Sequence, residues 1–237
     1  MRLIAALLLS VSLAHGQSLA PKGVTDIDTL FRQAVDQGTV PGVVAIVASK
    51  NQILYLNSFG LRDVAQRKPM ASDSIFRIAS MTKPVTSAAI MLLQEQGKLR
   101  MDDPVSKYLP EFKDREVIES FPAADGTLKT RKAAGEVQIR HLLSHTSGLA
   151  YGFSNSMVGP LQQKTGKQPE DLPLLYDPGT RWTYSGSTKV LGRVVERASG
   201  ISLDRFLDDN FFKPLGMKDT FYAVPSLERD RVVTTHS

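Results

Sequence analysis

The chain has 237 residues, of which 42% are hydrophobic and 22% charged, and its formal net charge is +5. This length and apolar content suffice for the core of one large domain or two small ones. Lys and Arg are scattered among Asp and Glu rather than clustered in a stripe, so no nucleic-acid partner is expected. The absence of cysteine excludes disulfides, thiolate zinc sites and cysteine nucleophiles.

The first residues, MRLIAALLLSVSLAHGQ, combine one arginine, an apolar run and then small residues. This order is typical of a secretory signal peptide, here over residues 1–16. An uncleaved membrane anchor is the alternative, but the apolar run is short against the roughly 20 residues of a helical span. No later segment is apolar enough to cross a bilayer. We therefore expect a mature chain from residue 17 that is secreted or periplasmic and has no stable membrane span.

Patterns of apolar residues predict the elements of the first hundred residues. Helical spacing predicts a helix from Asp26 that stops at Gly38. Two aliphatic runs on either side of the polar residues 49–52 predict a β-hairpin. The next predicted helix has almost no charge along its apolar residues and ends at Gly97, so we expect it to be buried nearly all round. An isolated hairpin is marginal in water, so other segments must complete its sheet.

The second half of the chain begins with polar, turn-rich residues 102–137. They are predicted to be loop, with a short hairpin around Asp125 and Gly126. Apolar residues at helical spacing predict a helix from about Ser187 to a terminating Gly200. A last helix is predicted in SLDRFLDDNFFKPLG, with Ser202 as its N-cap.

The stretch FRIASMTKPVTSAAIMLLQEQGK places Ser80 and Lys83 three residues apart at the start of the predicted buried helix. Residues three apart on a helix share one face, so a hydroxyl and an amine there can form a hydrogen bond. An amine accepts a proton only while it is uncharged, and apolar surroundings and the positive end of a helix both disfavour its charged form. Pro84 is tolerated only in a first turn, which sets Ser80 at or beside the helix start, where backbone N–H groups can stabilise a developing oxyanion.

The spacing alone leaves plainer interpretations open. About one Ser-x-x-Lys is expected by chance in a chain of this length. Ser80 could simply cap the helix while the amine of Lys83 is solvated. Tyr184, in the stretch WTYSGS, could be a core aromatic residue beside Trp182. A phenol close to a lysine can instead share one proton with it, so that the two groups titrate as a unit.

The sequence also allows one other catalytic pairing. His141 and His145 lie close in sequence to Ser144 and Ser147, so a Ser–His pairing is an alternative there. No Gly-x-Ser-x-Gly sequence occurs, which argues against an α/β-hydrolase. Neither His-Glu-x-x-His nor a carboxylate cluster is present, so no metal or cofactor is expected.

The stretch FRIASMTKPVTSAAIMLLQEQGKLRMDDPVSKYLPEF resembles the serine hydrolases related to class C β-lactamases, penicillin-binding peptidases and the carboxylesterases that share their fold. IRHLLSHTSGL, DPGTRWTYSGS and FKPLGMKDT resemble the family's next landmarks, in the same order. The resemblance implies an α+β, β-lactamase/transpeptidase-like fold: an antiparallel sheet flanked by helices, with a mainly helical subdomain. It also implies Ser80 as the acylated nucleophile, Lys83 as its base and Tyr184 as the second acid/base.

One departure from the family pattern concerns the substrate. Family β-lactamases and peptidases usually carry Asn two residues after the tyrosine, where its amide binds the acylamino group, and this chain has Gly186 there. We therefore expect a small-molecule substrate, most simply a small carboxylic ester. The alternatives are a β-lactamase or D-amino-acid peptidase acting on cell-wall-type substrates, and a non-catalytic binding protein on the same fold.

A second departure concerns the third motif, Lys-Thr-Gly or a variant, which the resemblance places on a strand after the PLGM landmark. The only Lys-Thr-Gly, residues 164–166, is out of order and lies in a predicted polar loop. The hydrolase domain over residues 17–237 is therefore expected to be C-terminally incomplete, without the family's C-terminal strands. Since one oxyanion donor is worth about 10² to 10³ in rate, we expect weak activity from this chain alone. The sequence specifies no oligomeric state.

Overall fold

The computed structural model describes residues 20–121 and 127–234. The chain divides into two compact units. The first contains the residues up to Arg77 and those from Val224 onward, and the second is the continuous stretch Ile78–Ala223. The predicted signal peptide over residues 1–16 lies outside the described residues.

The first unit is built around an antiparallel sheet. It comprises α1 (Pro21–Asp36), β1 (Gly42–Ala48), β2 (Ile53–Asp63) and β3 (Lys68–Pro69), with the strand order β1-β2-β3. The predicted hairpin is thus confirmed. Helix α1 begins earlier than predicted because Pro21 occupies its first turn, where a fixed φ suits the helix and no N–H is needed.

Polar and aromatic contacts hold α1 to strand β2. The carboxylate of Asp28 accepts hydrogen bonds from the hydroxyl of Tyr55 at 2.6 Å and from the amide of Asn57 at 3.1 Å. The rings of Phe31 and Phe59 stack with their centroids 6.0 Å apart. The hydrogen bond from Tyr55 is the main cause that lowers the pKa of Asp28.

Glycine is required where β1 begins, opposite the second half of β2. A Cβ atom on Gly42 would lie 2.4 Å from the carbonyl oxygen of Leu61. A Cβ atom on Gly60, whose φ is 73°, would lie 2.3 Å from the carbonyl oxygen of Pro41. Both distances are far below van der Waals contact, so the two backbones approach this closely only because neither residue has a side chain.

The last described segment also belongs to the first unit. Val232 forms a parallel bridge with Ile75, and the N–H of Thr234 donates to the carbonyl oxygen of Arg62 at 2.9 Å. The guanidinium of Arg62 binds the carboxylate of Asp230. Residues that lie more than 150 positions further along the chain thus bind strand β2 of this sheet.

The second unit is mainly helical. Its elements are α2 (Thr82–Glu95), β4 (Glu116–Ser120), β5 (Lys129–Lys132), α3 (Ile139–Leu143), α4 (Val158–Thr165), α5 (Ser187–Ser199) and α6 (Leu203–Leu207). The core lies between α2, α5 and α6, and its fully buried side chains include Ile90, Leu93, Leu142, Val190, Val194 and Leu207. A smaller apolar cluster joins α4 to β4 and comprises Ile118, Ala150, Val158, Leu161 and Leu172.

The two long helices of this unit match their predictions to different degrees. α5 ends at Gly200, which adopts a left-handed φ of 79°, as predicted. α2 is present, but the expectation that it is buried nearly all round is wrong. Ala89, Ile90 and Leu93 are buried, whereas Met91 is 51% exposed. Packing against α5 buries only one stripe of the helix, and a lack of charge on the other side does not bury it.

The region predicted as loop carries part of the core. Short 3-10 turns at Val105–Lys107 and Pro110–Phe112 bury Val105 and Phe112. Strands β4 and β5 pair antiparallel, in agreement with the predicted hairpin, and its expected turn at Asp125 and Gly126 lies outside the described residues.

Lys164, Thr165 and Gly166 do not lie in a polar loop as predicted. Lys164 and Thr165 form the last turn of α4, and Gly166 caps that helix with a φ of 67°. Along the part of the chain that the structure describes, no helix combines the length and apolar character of a membrane span.

Candidate active site

A strained turn at the start of α2 positions Ser80. The 3-10 turn Ala79–Met81 leads directly into Thr82, the first residue of α2. Ala79 has a φ of 42°, in the left-handed region that residues with a Cβ rarely adopt and that recurs at functional sites. Ser80 therefore lies beside the helix start, as expected. The N–H of Met81 donates to the carbonyl oxygen of Ile78 at 2.8 Å, so it is occupied within the turn.

The three residues that the sequence singled out meet at this turn. The Nζ of Lys83 donates to the Oγ of Ser80 at 3.2 Å. The Oγ of Ser80 and the hydroxyl oxygen of Tyr184 are 2.8 Å apart. The Nζ of Lys83 also lies 4.7 Å from the centroid of the Tyr184 ring. A residue 104 positions away in sequence thus completes the group around Ser80.

Hydrogen bonds within the group lower the pKa of Tyr184. A hydrogen bond from Lys83 is the largest cause that lowers the pKa of Tyr184, followed by the hydrogen bond with Ser80. Because Lys83 donates to the Oγ of Ser80, the hydroxyl proton of Ser80 can point to the oxygen of Tyr184. This arrangement lets Tyr184 accept the proton of the serine hydroxyl.

Contacts on several sides hold Tyr184 in place. The N–H of Thr183 donates to the carbonyl oxygen of His145 at 2.9 Å, and the rings of His145 and Tyr184 have centroids 5.0 Å apart. The Oγ of Ser154 donates to the carbonyl oxygen of Tyr184 at 3.0 Å. The alternative in which Tyr184 is a core aromatic residue beside Trp182 does not hold, because Tyr184 is only partly buried and Trp182 is 66% exposed.

A chain of buried hydroxyls lies behind Tyr184. The Nδ1 of His145 is 3.3 Å from the Oγ of Ser185, which is 2.7 Å from the Oγ of Ser187. Ser187 in turn contacts the Oγ of Ser147 at 3.1 Å. All three serines are fully buried, so none of them can meet a substrate without local opening. We interpret these linked hydroxyl groups as structural support for the segment that carries Tyr184.

The alternative Ser–His pairing is therefore not seen where the sequence allowed it. His145 bonds to Ser185, while the Oγ of Ser144 donates to the carbonyl oxygen of Arg140 and contacts Thr146. Burial, and then the charge of Lys83, lower the pKa of His145, which keeps its ring neutral at pH 7.

His141 has a different role, at the start of α3. Its Nδ1 accepts the N–H of Gln138 at 3.2 Å and so completes a capping box. Burial lowers the pKa of His141. The contact with Gln138 supports the start of α3.

Two aromatic residues near Tyr184 were missed by the sequence reasoning. Tyr151 and Phe153 have ring centroids 5.7 Å and 6.5 Å from that of Tyr184. Their only signal in sequence is their position directly after the HTSGL landmark. Within the ranges that the structure describes, no group of three or more His, Asp or Glu side chains is placed to hold a metal ion.

The helical subdomain, the antiparallel sheet and the serine at the head of α2 define a β-lactamase/transpeptidase-like α+β protein, and the expected fold is confirmed. The chain belongs to the β-lactamase family, whose model matches residues 27–237.

Named relatives of the chain are esterases and acyltransferases. The chain is 37% identical over 218 residues to esterase EstB of Burkholderia gladioli, a match that covers 86% of this chain and 52% of that protein. It is 33% identical over 228 residues to monacolin J acid methylbutanoyltransferase of Aspergillus terreus, covering 89% and 55% of the two chains. The solved structure of EstCE1, described as a hydrolase with promiscuous acyltransferase activity, superposes with a TM-score of 0.74 at 29% identity, over 90% of this chain and 56% of that one.

The chain spans about half the length of the curated relatives that it matches. Their names therefore describe proteins of which this chain matches one part.

Proposed function

We propose that the protein is a serine hydrolase that forms an acyl-enzyme on Ser80 and acts on small carboxylic esters. The observation that carries the proposal is the contact of Ser80 Oγ with both Lys83 Nζ, at 3.2 Å, and Tyr184 Oη, at 2.8 Å. A nucleophile in hydrogen-bonding reach of a base, with the base oriented by a third group, is the arrangement that covalent catalysis requires. The relative named as an esterase supports the reaction class.

In the first half-reaction Tyr184 Oη takes the proton of Ser80, and the Oγ attacks the ester carbonyl carbon. As the bond to the alkoxy oxygen breaks, Tyr184 returns the proton to the leaving alcohol. A water molecule then attacks the acyl carbon and gives a proton to Tyr184, which passes it to the Oγ as the acyl bond breaks. Lys83 stabilises the phenolate and donates to the Oγ throughout. In the alternative mechanism Lys83 is the base and receives the proton of the Ser80 hydroxyl in place of Tyr184.

Transfer of the acyl group to an alcohol instead of water is the second candidate function. It is supported by the relative named as a methylbutanoyltransferase and by the description of EstCE1. The same acyl-enzyme serves both outcomes, so an added alcohol and water would compete for it. The ratio of transfer product to free acid, measured with increasing alcohol concentration, separates the two.

The alternatives to the ester hydrolase are a β-lactamase or peptidase and a non-catalytic binding protein. Gly186, at the position two residues after Tyr184, has no amide with which to hold an acylamino group, which supports an ester. We also propose that the protein is secreted or periplasmic, on the strength of the first 16 residues of the sequence.

The test is to label the purified protein with a fluorophosphonate and to locate the adduct by peptide mass spectrometry. Parallel assays use 4-nitrophenyl acetate and a chromogenic cephalosporin. We expect the adduct on Ser80, faster turnover of the ester, and a loss of at least about 10³ in kcat/KM for Ser80→Ala. The matched control is Ser144→Ala, an exposed serine outside the group, which should keep the parent rate. A folded protein without an adduct on Ser80 would favour the binding protein, and faster cephalosporin turnover would favour the β-lactamase.

A further inference from the structure

Two aromatic side chains form an exposed surface next to the proposed nucleophile. The rings of Tyr151 and Phe153 stack with their centroids 4.9 Å apart and their planes within 17°. Phe153 is nevertheless 80% exposed. We call this pair the aromatic wall. A solvent-facing phenylalanine stacked on a second ring is a preformed surface for another apolar group.

The aromatic wall is continuous with the proposed catalytic group. The rings of Tyr151 and Tyr184 are 5.7 Å apart, and those of Phe153 and Tyr184 are 6.5 Å apart. The hydroxyl oxygen of Tyr184 is 2.8 Å from the Oγ of Ser80. Since Tyr184 contacts both the wall and Ser80, the wall stands one side chain away from the position of a reacting carbonyl carbon.

Hydrogen bonds fix the wall relative to Tyr184. The N–H of Tyr151 donates to the Oγ of Ser154 at 3.0 Å. The same Oγ lies 2.9 Å from the carbonyl oxygen of Tyr151 and 3.0 Å from the carbonyl oxygen of Tyr184. Ser154 thus links the turn that carries the wall to the backbone of Tyr184. A surface held in this way loses little conformational entropy when a ligand binds.

Gly186 keeps one face of the wall free of side chain. A Cβ atom at this position would lie 3.5 Å from the Cε1 of Tyr151, at ordinary van der Waals distance. A longer side chain at position 186 would add its own groups beside the ring of Tyr151, where the glycine adds none.

We propose that the aromatic wall is a subsite for an apolar group of the ester, either an aliphatic chain or a ring. This inference rests on the proposed esterase function and names the substrate class of the same site. Each methylene packed on the wall removes apolar surface from water, which increases kcat/KM by about two- to fourfold per carbon when burial is partial to full.

The experiment measures kcat/KM for 4-nitrophenyl esters with acyl chains from acetate to octanoate, on the parent and on Phe153→Ala. A second series keeps the acetyl group and lengthens the alcohol, which assigns the wall to the acyl or the alcohol side. We expect kcat/KM of the parent to increase with chain length in one of the two series. In Phe153→Ala this increase should fall to below about 1.5-fold per carbon. Leu215→Ala is the matched control, because Leu215 is an apolar side chain of similar exposure, 69%, and should keep the parent slope.

Gly186→Asn gives a second, independent test, because it adds a polar amide beside the ring of Tyr151 and should reduce the preference for long chains. An unchanged slope in both Phe153→Ala and Gly186→Asn, or a parent rate that is flat in both series, would overturn the subsite. Labelling of Ser80 by a methyl-substituted fluorophosphonate distinguishes a failure of the subsite from a failure of the proposed esterase function. A labelled enzyme with a flat series contradicts only the aromatic wall, whereas an unlabelled folded protein contradicts the esterase and the wall together.

Discussion

At the residue level, the proposed ester hydrolysis depends on where one proton lies between Lys83 and Tyr184. The hydrogen bond from Lys83 is the largest cause that lowers the pKa of Tyr184, and the Ser80 hydroxyl is the second. A lowered pKa makes the phenolate available at a lower pH than for an ordinary tyrosine, so activity that depends on the phenolate should increase as Tyr184 deprotonates.

Replacing Lys83 tests this dependence. In Lys83→Met the phenolate loses its main stabilising hydrogen bond, so the pKa of Tyr184 increases and the ascending limb of kcat/KM moves to higher pH. We expect the rate at pH 7 to fall by about 10² to 10⁴. The measurement is the pH profile of ester hydrolysis, with Lys167→Met as a control on an exposed lysine. The role of Lys83 would be contradicted if the variant hydrolysed the ester at the parent rate and the ascending limb of its pH profile lay at the parent pH.

The sequence identified this site only in part. Ser80 and Lys83 could be paired from their spacing and from Pro84, because a helix fixes neighbours three residues apart. Tyr184 required the family resemblance, since no local rule links residues 104 positions apart. The contacts of His145 and the aromatic wall depend on the path of two loops, which the pattern of apolar residues does not specify.

At the element level, a partly buried arginine directly before β4 connects that strand to the segment before α5. The guanidinium of Arg115 donates to the carbonyl oxygens of Glu170 and Leu172 and lies over the ring of Phe112, at 5.0 Å from its centroid. Burial lowers the pKa of Arg115. Glu170, itself 6% exposed, pairs with Lys189 of α5.

Removing the guanidinium should therefore destabilise the protein. Arg115→Met leaves two buried carbonyl oxygens without their donor, so we expect the free energy of unfolding to fall by about 2–4 kcal/mol. Arg140→Met is the matched control, because Arg140 forms an exposed ion pair with Asp102 and should change stability by less than about 0.5 kcal/mol. Urea denaturation measures both, and equal effects would show that Arg115 has no special role.

A second polar contact joins β5 to the segment that leads to Tyr184. The two guanidinium nitrogens of Arg131 bind the carboxylate of Asp177 at 2.9 Å and 2.7 Å, and the N–H of Ala134 donates to it at 2.8 Å. The bonds from Arg131, and then the one from Ala134, lower the pKa of Asp177 from 3.8 to about 2.

This contact predicts part of the acid sensitivity. A carboxyl group whose pKa is lower in the folded state stabilises the fold above its unfolded pKa, and the stabilisation is lost as the pH falls from about 4 to about 2. Asp177→Asn should therefore lose less stability over this interval than the parent. Thermal unfolding between pH 5 and pH 2 measures the difference, and Arg131→Gln should show the same flattening. Identical acid profiles for the parent and both variants would argue against the assignment.

The long helix α5 was predictable from its periodicity, whereas the short helix α4 was not. α5 follows from its spaced apolar residues and Gly200, because the same spacing buries one face of any helix. α4 was not predicted, because Gly159 and Pro160 interrupt its apolar pattern. Both lie in its first turn, where proline is tolerated since no intrahelical N–H is needed.

At the scale of the whole molecule, the first unit is discontinuous in sequence. Strands β1 to β3 and the residues from Val224 onward belong to it, while the second unit is one uninterrupted stretch. The predicted hairpin needed support from other segments of the chain. The bridge between Ile75 and Val232 shows that residues near position 232 supply part of this support within the first unit. Composition and spacing could not predict that the residues from Val224 onward belong to the first unit, because pairing between distant segments leaves no local periodic signal.

The proposed export makes a prediction about the whole chain. When the gene is expressed in a bacterium with a secretion system, the protein outside the cytoplasm should begin at Gln17. Leu8→Arg should stop export, because a charge in the apolar run of a signal peptide blocks its recognition. N-terminal sequencing of the exported fraction provides the measurement, and Ser18→Arg, placed after the cleavage position, is the control. A protein recovered there with Met1 intact would contradict cleavage.

The left-handed φ of 42° at Ala79 limits how the neighbourhood of Ser80 can be redesigned. β-branched residues are strongly disfavoured in that conformation, whereas glycine and asparagine adopt it readily. In a saturation library at position 79 that is selected for ester turnover, the active variants should therefore carry alanine, glycine or asparagine. Engineers who wish to broaden substrate range should randomise positions 151, 153 and 186 together and leave codon 79 untouched.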